Sequence, residues 1–367
     1  MKKVLINLLN VQSGGQFTYL LNLFAECENI KNYNFVFLIN RIAENRLKDK
    51  KCNIPDNVKF QVVNSKYAYG MTSYFWQFIN LPKIVSNVKP NYVYAPTHIA
   101  YKVSNITTVL SMRNMAIPNF NSIDISIKMK FSLFLKYLPT LWSLSKADKV
   151  IAVSNYVKDF LISIGKDKKN ILVAYHPFDN LYRKDSSDVN TCRTLNRNDN
   201  IIFVPGSYYS YKKFHNILNY LNNIKLPKDT KIVFAGDEGD NKYVNRLESY
   251  DTMNFNTIFF RNLTVDEMKF LYKNSKIVIL SSQVEACPNI AIESLASCSN
   301  ILASDIPPFQ EILGEFATYF HNDNKVSFVK SFNISINQKP DISIQKKQID
   351  KICNIRLIDI LYFIESD

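Results

Sequence analysis

Two glutamates flank the start of a predicted helix in the second half of the chain. Glu285 lies in a short polar loop, and Glu293 lies about five residues into the helix, roughly 7–8 Å further along its axis. A carboxylate only accepts hydrogen bonds, so it suits hydroxyl groups and repels phosphate. The first amides of the helix lie between the two glutamates and favour an anion. This spacing fits a ligand with hydroxyls at both ends and phosphates between them, such as a nucleotide-sugar. The alternative is that both glutamates are solvated charges on the protein surface.

The elements around these glutamates place them at the edge of a sheet. Ile277–Leu280 is a short apolar run with β-branched residues, which is typical of a buried parallel strand. After the loop, Pro288 occupies the position expected for the first residue of a helix, where its missing N–H costs nothing. The amides near Asn289 and Ile290 are therefore expected to face the crevice at the carboxyl end of the strand, where open α/β sheets bind ligands.

Three further segments combine strand ends with turns. Gly14 and Gly15 follow the first predicted strand, residues 147–154 (ADKVIAVS) form a strand and a helix cap, and Gly206 precedes Lys212 by six residues. Glycines let backbone amides approach a ligand closely, and a lysine is a point charge suited to phosphate. Together with residues 285–293 (EACPNIAIE), these segments resemble, in the same order, the blocks of family-4 (group 1) glycosyltransferases.

The resemblance implies a GT-B fold, an α/β architecture of two Rossmann-like domains whose parallel sheets face an interdomain cleft. It implies a retaining glycosyltransferase of the hexosyltransferase type, used in bacterial surface-polysaccharide assembly such as O-antigen, capsule or lipopolysaccharide biosynthesis. Glu293 would bind the ribose diol, Glu285 would hold the donor sugar, and Lys212 would stabilise the departing diphosphate. The donor is then a nucleotide-diphosphate-sugar, with no cofactor and no metal, and the chain has no Asp-x-Asp cluster to hold a metal.

The chain departs from the family pattern at charged positions. Ser207 stands where an arginine usually follows the glycine, so Arg113 of the first domain becomes a further catalytic candidate beside Glu285 and Lys212. Arg113 and Asn114 stand where the family often has a His-Asp pair, and Asn114 is assigned with His98 to the acceptor side. The predicted donor-binding residues are Gly14, Gly15, Gly206, Ser207, Lys212, Asn262, Pro288, Asn289, Ile290 and Glu293.

The order of strands and helical stretches predicts two domains. Alternation of the two kinds of element indicates a parallel sheet in each. Residues 181–199 are polar and lack apolar periodicity, which indicates a linker. The predicted bounds are 1–180 for an acceptor-side domain, 200–340 for a nucleotide-sugar domain, and 341–367 for a helical region that packs back on the first domain.

The net charge of +13 lies in the first half of the chain. Residues 1–180 contain 23 Lys and Arg against 10 Asp and Glu, whereas residues 181–367 contain 22 of each. A basic half favours an anionic surface. We therefore expect a saccharide acceptor linked to polyprenyl diphosphate at the inner membrane surface, and no nucleic acid. No window approaches the ~18 apolar residues of a membrane span, so we expect a cytoplasmic protein, or one peripheral on the cytoplasmic face.

Two other functions share parts of this pattern. A nucleotide-sugar epimerase of similar fold would need acid and base groups near the anomeric centre, and the sequence does not reveal them. A basic protein that binds nucleic acid or membrane without catalysis would leave Glu285, Glu293 and Lys212 unexplained.

One basic amphipathic stretch, Ile123–Leu144, has two interpretations. Its lysines at 128, 130 and 136 alternate with large apolar residues, a pattern that suits a helix lying on a membrane. Such a stripe is more often the core-facing side of an ordinary surface helix, and we favour that interpretation. Pro139 is expected to kink or divide the helix.

Overall fold

The computed structural model describes residues 1–11, 14–49, 52–68, 70–97, 99, 102, 105–176, 191–236, 239–249, 256–297, 299–338 and 342–366. The chain divides into two compact units. Unit 1 comprises residues 1–118, 131–177 and 354–367, and unit 2 comprises residues 119–130 and 178–353. Of the predicted linker, residues 181–190 lie outside the described part of the chain.

Unit 1 is built on a parallel sheet. Its described strands are Lys2–Asn7 (β1), Tyr33–Asn40 (β2), Val58–Val63 (β3), Tyr92–Ala95 (β4), Thr107–Met112 (β5), Lys149–Ala152 (β6) and Ile171–Val173 (β7). They lie in the order β3-β2-β1-β4-β5-β6-β7, and each neighbouring pair is parallel. The helices in this half of the chain are Gly14–Cys27 (α1), Arg41–Asp49 (α2), Gly70–Val88 (α3), Ile127–Lys146 (α4) and Asn155–Ser163 (α5).

Unit 2 has a second parallel sheet. A short hairpin, Thr191–Cys192 (β8) with Leu195–Asn196 (β9), precedes it. The described strands of the sheet are Asn200–Pro205 (β10), Thr230–Ala235 (β11), Asn256–Phe260 (β12), Ile277–Leu280 (β13), Ile301–Ser304 (β14) and Ala317–Phe320 (β15), in the order β12-β11-β10-β13-β14-β15. The helices are Phe214–Leu221 (α6), Asn241–Ser249 (α7), Val265–Asn274 (α8), Asn289–Ala296 (α9), Pro307–Leu313 (α10), Lys325–Ser335 (α11) and Ile342–Ile352 (α12).

Both sheets are covered by helices on their two faces, which explains their apolar strands. In β1, Val4 and Ile6 pack in one core cluster with residues of α1, whereas Leu5 packs in another with residues of α3. All four residues of β13 are buried, as expected for a central parallel strand. The predicted α/β architecture of two Rossmann-like domains is confirmed.

The strand order of each sheet reverses between two neighbouring strands. In unit 1 the reversal lies between β1 and β4, and in unit 2 it lies between β10 and β13. In unit 2 the helices that follow these two strands, α6 and α9, lie on opposite faces of the sheet, so a crevice opens at the carboxyl ends of the strands, where ligands bind in doubly wound sheets. In unit 2 this crevice is bordered by Gly206, after β10, and by the loop from Ser281 to Pro288, after β13.

The last helix, Leu357–Glu365 (α13), belongs to unit 1 and is firmly held there. Leu357, Leu361 and Ile364 join the core cluster that contains α1. Lys149 donates to the carbonyl of Phe363 at 2.7 Å. The predicted helical region 341–367 thus contains two described helices, with α12 in unit 2 and α13 in unit 1.

Helix α4 differs from its prediction. It runs through Pro139 as a single helix, although a kink or division was expected. The expected burial of its apolar stripe is wrong for much of its length, because the helix rests on Leu133, Thr140, Ser143 and Leu144 and leaves other apolar side chains exposed. Neither α4 nor any other helix of the described residues is long and apolar enough to cross a bilayer.

Two glycines allow the ends of β10 and β11 to approach closely. A Cβ on Gly236 would lie 2.0 Å from the carbonyl oxygen of Gly206 and 3.2 Å from the Cα of Ser207. We therefore expect Gly236→Ala to lower the free energy of unfolding by about 2–3 kcal/mol, because the clash is with backbone that must shift. Urea unfolding would measure this loss. Gly165→Ala would measure the cost of backbone strain without a clash, because Gly165 has φ +89° and no atom lies within 4 Å of a Cβ built there. If Gly236→Ala leaves the free energy of unfolding unchanged, the strand ends have room to separate.

Candidate active site

The crevice of unit 2 is bordered by two chain segments that hydrogen bond to each other. One is the single helical turn Ser210–Lys212 after β10, and the other is the loop after β13. The hydroxyl of Ser281 donates to the carbonyl of Lys212 at 2.6 Å, and the amide of Gln283 donates to the carbonyl of Tyr211 at 2.8 Å. These bonds bring Lys212 and Glu285 together although they are 73 residues apart.

Lys212 and Glu285 form a buried ion pair at this edge of the sheet. The Lys212 ammonium donates to Oε1 of Glu285, and the hydroxyl of Ser282 donates to the same oxygen at 2.7 Å. The side chains of Lys212 and Glu285 are 10% and 15% exposed, so water screens the pair weakly. Burial by itself lowers the pKa of Lys212, but the charge of Glu285, helped by Tyr211 and by the hydrogen bond, raises it above its ordinary value of 10.5. Lys212 is therefore a fixed cation at neutral pH.

Helix α9 begins beside this ion pair. Pro288 is its N-cap, one residue before the predicted position, because the helix begins at Asn289. The proline side chain has no group that could accept a hydrogen bond from the first turn, and an intrahelical bond runs from the amide of Ala291 to the carbonyl of Pro288 at 3.1 Å. Asn289 is exposed and Ile290 is half-buried. The positive end of the helix dipole therefore opens toward the crevice and suits an anionic group.

Glu293 lies on α9 and is fixed by a buried tyrosine. The hydroxyl of Tyr272, on α8, donates to Oε2 of Glu293 at 2.8 Å. Tyr272 is fully buried, and its ring packs edge-on against Phe203 of β10 at 5.1 Å. The half-buried carboxylate of Glu293 is thus oriented from the core side and can accept a hydrogen bond from a further hydroxyl group.

The other predicted donor residues of unit 2 lie at neighbouring strand ends. Gly206 adopts φ +141°, and Ser207 follows it half-buried. Asn262 lies after β12 with φ 52°. Its loop is held by Arg193, which donates to the Asn262 carbonyl at 3.2 Å and to Glu267 at 3.0 Å. Thr264 and Glu267 form a capping box at the start of α8.

The short segment 119–130 is counted with unit 2 and is anchored beside Lys212. The hydroxyl of Ser210 donates to the carbonyl of Asp124 at 2.6 Å, and the amide of Asp124 donates to Gln283 at 2.8 Å. The Lys213 ammonium lies 3.3 Å from the Asp124 carboxylate and 2.9 Å from that of Asp323. This network fixes the turn that carries Lys212.

His215, next to this network, gives a pH dependence. Burial lowers the pKa of His215 below its ordinary value of 6.5, the charges of Lys213 and Arg246 act in the same direction, and those of Asp124 and Asp323 oppose it. The unfolded chain therefore takes up a proton near pH 6.5 while the folded chain does not, so stability is lost as the pH falls below 6.5. We expect His215→Gln to reduce the fall in melting temperature between about pH 7.5 and 5.5. If the melting temperature of His215→Gln falls as much as that of the wild type, protonation of His215 is not coupled to unfolding.

The predicted residues of unit 1 lie near its own strand ends. Gly14 and Gly15 form the first turn of α1, which follows β1. Arg113, directly after β5, places its guanidinium 3.8 Å from the ring centroid of Tyr19. Asn114 is exposed, and its side chain accepts a hydrogen bond from the amide of Ala116 at 2.9 Å. His98 lies outside the described residues.

Comparisons with known proteins identify sequences and structures that are similar to this chain. A sequence model of the family described as "Glycosyl transferases group 1" matches residues 192–348, which include all the site elements from β10 to α9. The predicted resemblance to this glycosyltransferase family is confirmed. The "O-antigen chain mannosyltransferase RfbU" of Salmonella typhimurium is 24% identical over 220 residues, which span 58% of this chain and 56% of that protein.

Two solved structures match almost the full length of the chain. The structure of Anabaena Alr3699/HepE in complex with UDP and glucose has a TM-score of 0.71 and 15% identity, and the match covers 99% of this chain and 100% of that one. A glycosyltransferase from Rickettsia africae has a TM-score of 0.72 and 17% identity, with 99% and 98% covered. At these identities the likeness establishes the fold, and the predicted GT-B fold is confirmed.

Three residues of this candidate site are not singled out by sequence reasoning. Ser282 lies three residues before Glu285 in the same polar loop, and that proximity is a usable signal. Tyr272 and Asp124 approach the site from other elements, and their types and local spacing carry no signal. A buried tyrosine hydroxyl needs a partner, but the sequence does not identify Glu293 as that partner.

Proposed function

We propose that the chain moves a sugar from a nucleotide-diphosphate-sugar to a saccharide acceptor. The observation that carries this proposal is the buried Lys212–Glu285 pair beside the N-terminus of α9, with Glu293 further along the same helix. A cation and a helix start together suit a diphosphate, and the two carboxylates suit hydroxyl groups. This order of charges matches a nucleotide-sugar from one end to the other.

The proposed roles follow from these charges. Lys212 and the first amides of α9 stabilise the negative charge that develops on the departing diphosphate, which is the largest charge change of the reaction. Glu285 holds hydroxyls of the donor sugar, and Glu293, oriented by Tyr272, accepts hydrogen bonds from the ribose diol. Gly206, Ser207 and Asn262 are the proposed backbone contacts to the donor.

The remaining assignments belong to the first half of the chain. Gly14 and Gly15 are proposed to meet the donor through backbone, and Arg113, held on Tyr19, is the proposed second cation. His98 and Asn114 are proposed for the acceptor side. These roles are carried over from the family resemblance.

We propose that transfer retains the anomeric configuration and needs no metal. In a front-side displacement the acceptor oxygen bonds to the anomeric carbon as the bond to the diphosphate breaks. The acceptor proton passes to the departing phosphate oxygen, so no dedicated base is required. Lys212 and the start of α9 supply the positive charge that a metal would otherwise bring.

The proposed acceptor is a saccharide linked to polyprenyl diphosphate, used at the cytoplasmic face of the inner membrane. The name of the Salmonella relative, an O-antigen chain mannosyltransferase, supports a role in surface-polysaccharide assembly. The excess charge of the first 180 residues supports a position at an anionic membrane surface. Neither an epimerase nor a nucleic-acid-binding protein gains support from these matches.

A transfer assay tests the proposed function. The purified chain would be incubated with UDP-, GDP- and TDP-sugars and a lipid-linked acceptor, with and without EDTA. We expect one donor to give a new glycosidic bond whose anomeric configuration, read by NMR, equals that of the donor, at a rate unaffected by EDTA. Inverted product would overturn the proposed stereochemistry, and loss of activity with EDTA would overturn metal independence.

Glu293→Gln is expected to weaken binding of the nucleoside diphosphate by roughly 10- to 100-fold, because hydrogen bonds to a charged group contribute about 1.5–3 kcal/mol. Calorimetry with the nucleotide that binds the wild type would measure the change. Tyr272→Phe removes the hydroxyl that orients Glu293 and should cost about 1 kcal/mol of binding or less. Glu315→Gln, an exposed carboxylate of the same unit, is the matched control and should bind as the wild type does. If all three variants bind the nucleoside diphosphate with equal affinity, Glu293 does not contact the nucleotide.

A further inference from the structure

Helix α4 exposes an apolar stripe along its outer side. Phe131 and Leu138 are 61% and 63% exposed, and Leu135, between them, is also exposed. Their spacing of three and four residues places them on one side of the helix. Ile127 and Trp142 extend the stripe, giving it a length of roughly 22 Å at 1.5 Å per residue.

Helix α3 exposes a second apolar stripe. Phe75 is 66% exposed, and Phe78 and Ile79 on the same side of the helix are also exposed. Helix α3 connects β3 to β4, and α4 connects β5 to β6. Both connections run in the same direction across the sheet of unit 1, so right-handed crossovers place α3 and α4 on the same face. Large apolar side chains on two helices of one face are more than the scattered exposure found on most soluble proteins.

The charged residues of these two helices have one sign. In α4, Lys128 comes three residues before Phe131 and Lys146 comes four residues after Trp142, and both lysines are exposed. In α3, Lys83 is exposed and continues the spacing of Phe75 and Ile79. Neither helix contains an Asp or a Glu. An apolar stripe on helices whose charged residues are all lysines is complementary to a surface that is apolar beneath and anionic on top.

We propose that the exposed faces of α3 and α4 form a docking surface for an anionic phospholipid bilayer. Phe75, Phe131 and Leu138 enter the boundary between head groups and acyl chains, and the flanking lysines pair with lipid phosphates. The proposal rests on the membrane partner named in the proposed function and assigns it to specific side chains. A second copy of the chain is a poorer occupant, because it would bring two rows of lysines together.

Vesicle flotation of the full-length chain tests this surface. Phosphatidylcholine vesicles would be compared with vesicles containing about 30% phosphatidylglycerol, at low and high salt. We expect the wild type to float with the anionic vesicles and to be released by salt. The double variant Phe131→Ser with Leu138→Ser should partition at least about tenfold more weakly, since each loses the burial of a large apolar side chain. Lys128→Gln with Lys146→Gln should weaken binding to the anionic vesicles alone.

Val326→Ser is the matched control for these variants. Val326 is 79% exposed on α11 of unit 2, so the substitution removes exposed apolar surface away from the docking surface and should leave flotation unchanged. Stabilisation by the nucleotide should be equal in all variants, which separates a failure of docking from a failure of the donor site. The proposal is overturned if the wild type ignores anionic vesicles, if the double serine variant floats like the wild type, or if Phe131 and Leu138 instead mediate self-association in sedimentation.

Discussion

Replacement of Lys212 by methionine is expected to lower kcat by roughly 100- to 1,000-fold, since a fixed donor at developing negative charge is worth about 3–4 kcal/mol. Methionine keeps the length and apolar stem of the side chain and removes the charge. The loss should fall mainly on kcat, because the charge on the leaving diphosphate is greatest in the transition state. Initial rates of transfer with saturating donor would measure it.

This variant needs controls because Lys212 also has a structural role. Its removal leaves the Glu285 carboxylate buried without its cation, which should lower the free energy of unfolding by about 3 kcal/mol. The double variant Lys212→Met with Glu285→Gln should recover much of this stability but none of the activity. Lys231 also forms an ion pair, with Asp199 at 2.8 Å, but lies near the opposite end of its strand. Lys231→Met should keep the wild-type kcat. If Lys212→Met also keeps the wild-type kcat, Lys212 does not stabilise the transition state.

Replacement of Glu285 by glutamine is expected to lower kcat by about 100-fold while changing the Kd of the nucleoside diphosphate less than about threefold. Glutamine has the same size, but its amide is a weaker acceptor for sugar hydroxyls than a carboxylate. The substitution should therefore affect the sugar end of the donor and spare the nucleotide end. Parallel measurement of turnover and of nucleotide affinity distinguishes the two.

The same variant has a predicted pH signature. In the wild type the charge of Glu285 raises the pKa of Lys212 against the effect of burial. Without that charge, burial remains and the pKa of Lys212 must fall. The alkaline limb of the rate profile should therefore move to lower pH in Glu285→Gln. Ser282→Ala, which removes a neutral hydrogen bond to the same carboxylate oxygen, should leave this limb in place. If the alkaline limb of the rate profile does not move in Glu285→Gln, the charge of Glu285 does not control the protonation state of Lys212.

The sequence predicts the strands and the crevice well because both follow from local pattern. Ile277–Leu280 was expected as a buried strand and is β13, with the predicted polar loop and helix after it. Local spacing also places Glu285 before the helix start and Glu293 beyond it. The helix boundary differs by one residue at Pro288, since a proline fits both an N-cap and a first helical position.

Contacts between distant segments could not be predicted in the same way. Lys212 and Glu285 were assigned separate roles, and their pairing depends on β10 and β13 being neighbours in the sheet. The orientation of Glu293 by Tyr272 and the anchoring of Asp124 beside the Lys212 turn depend on tertiary packing in the same way. A local apolar pattern also does not determine which side of α4 packs against the rest of the protein. The apolar stripe that the sequence predicts to face the core is largely exposed.

The measurement that tests the central claim most directly is the thermal stability of the purified chain with UDP, GDP, ADP, CMP and TDP, in EDTA. We expect a clear rise in melting temperature with one nucleotide, because a ligand at 100 times its Kd stabilises the folded state by about 2.7 kcal/mol. The rise should be strongly reduced in Glu293→Gln and retained in Glu315→Gln. No rise with any nucleotide, or an equal rise in Glu293→Gln, would contradict a donor site in the crevice between β10 and β13.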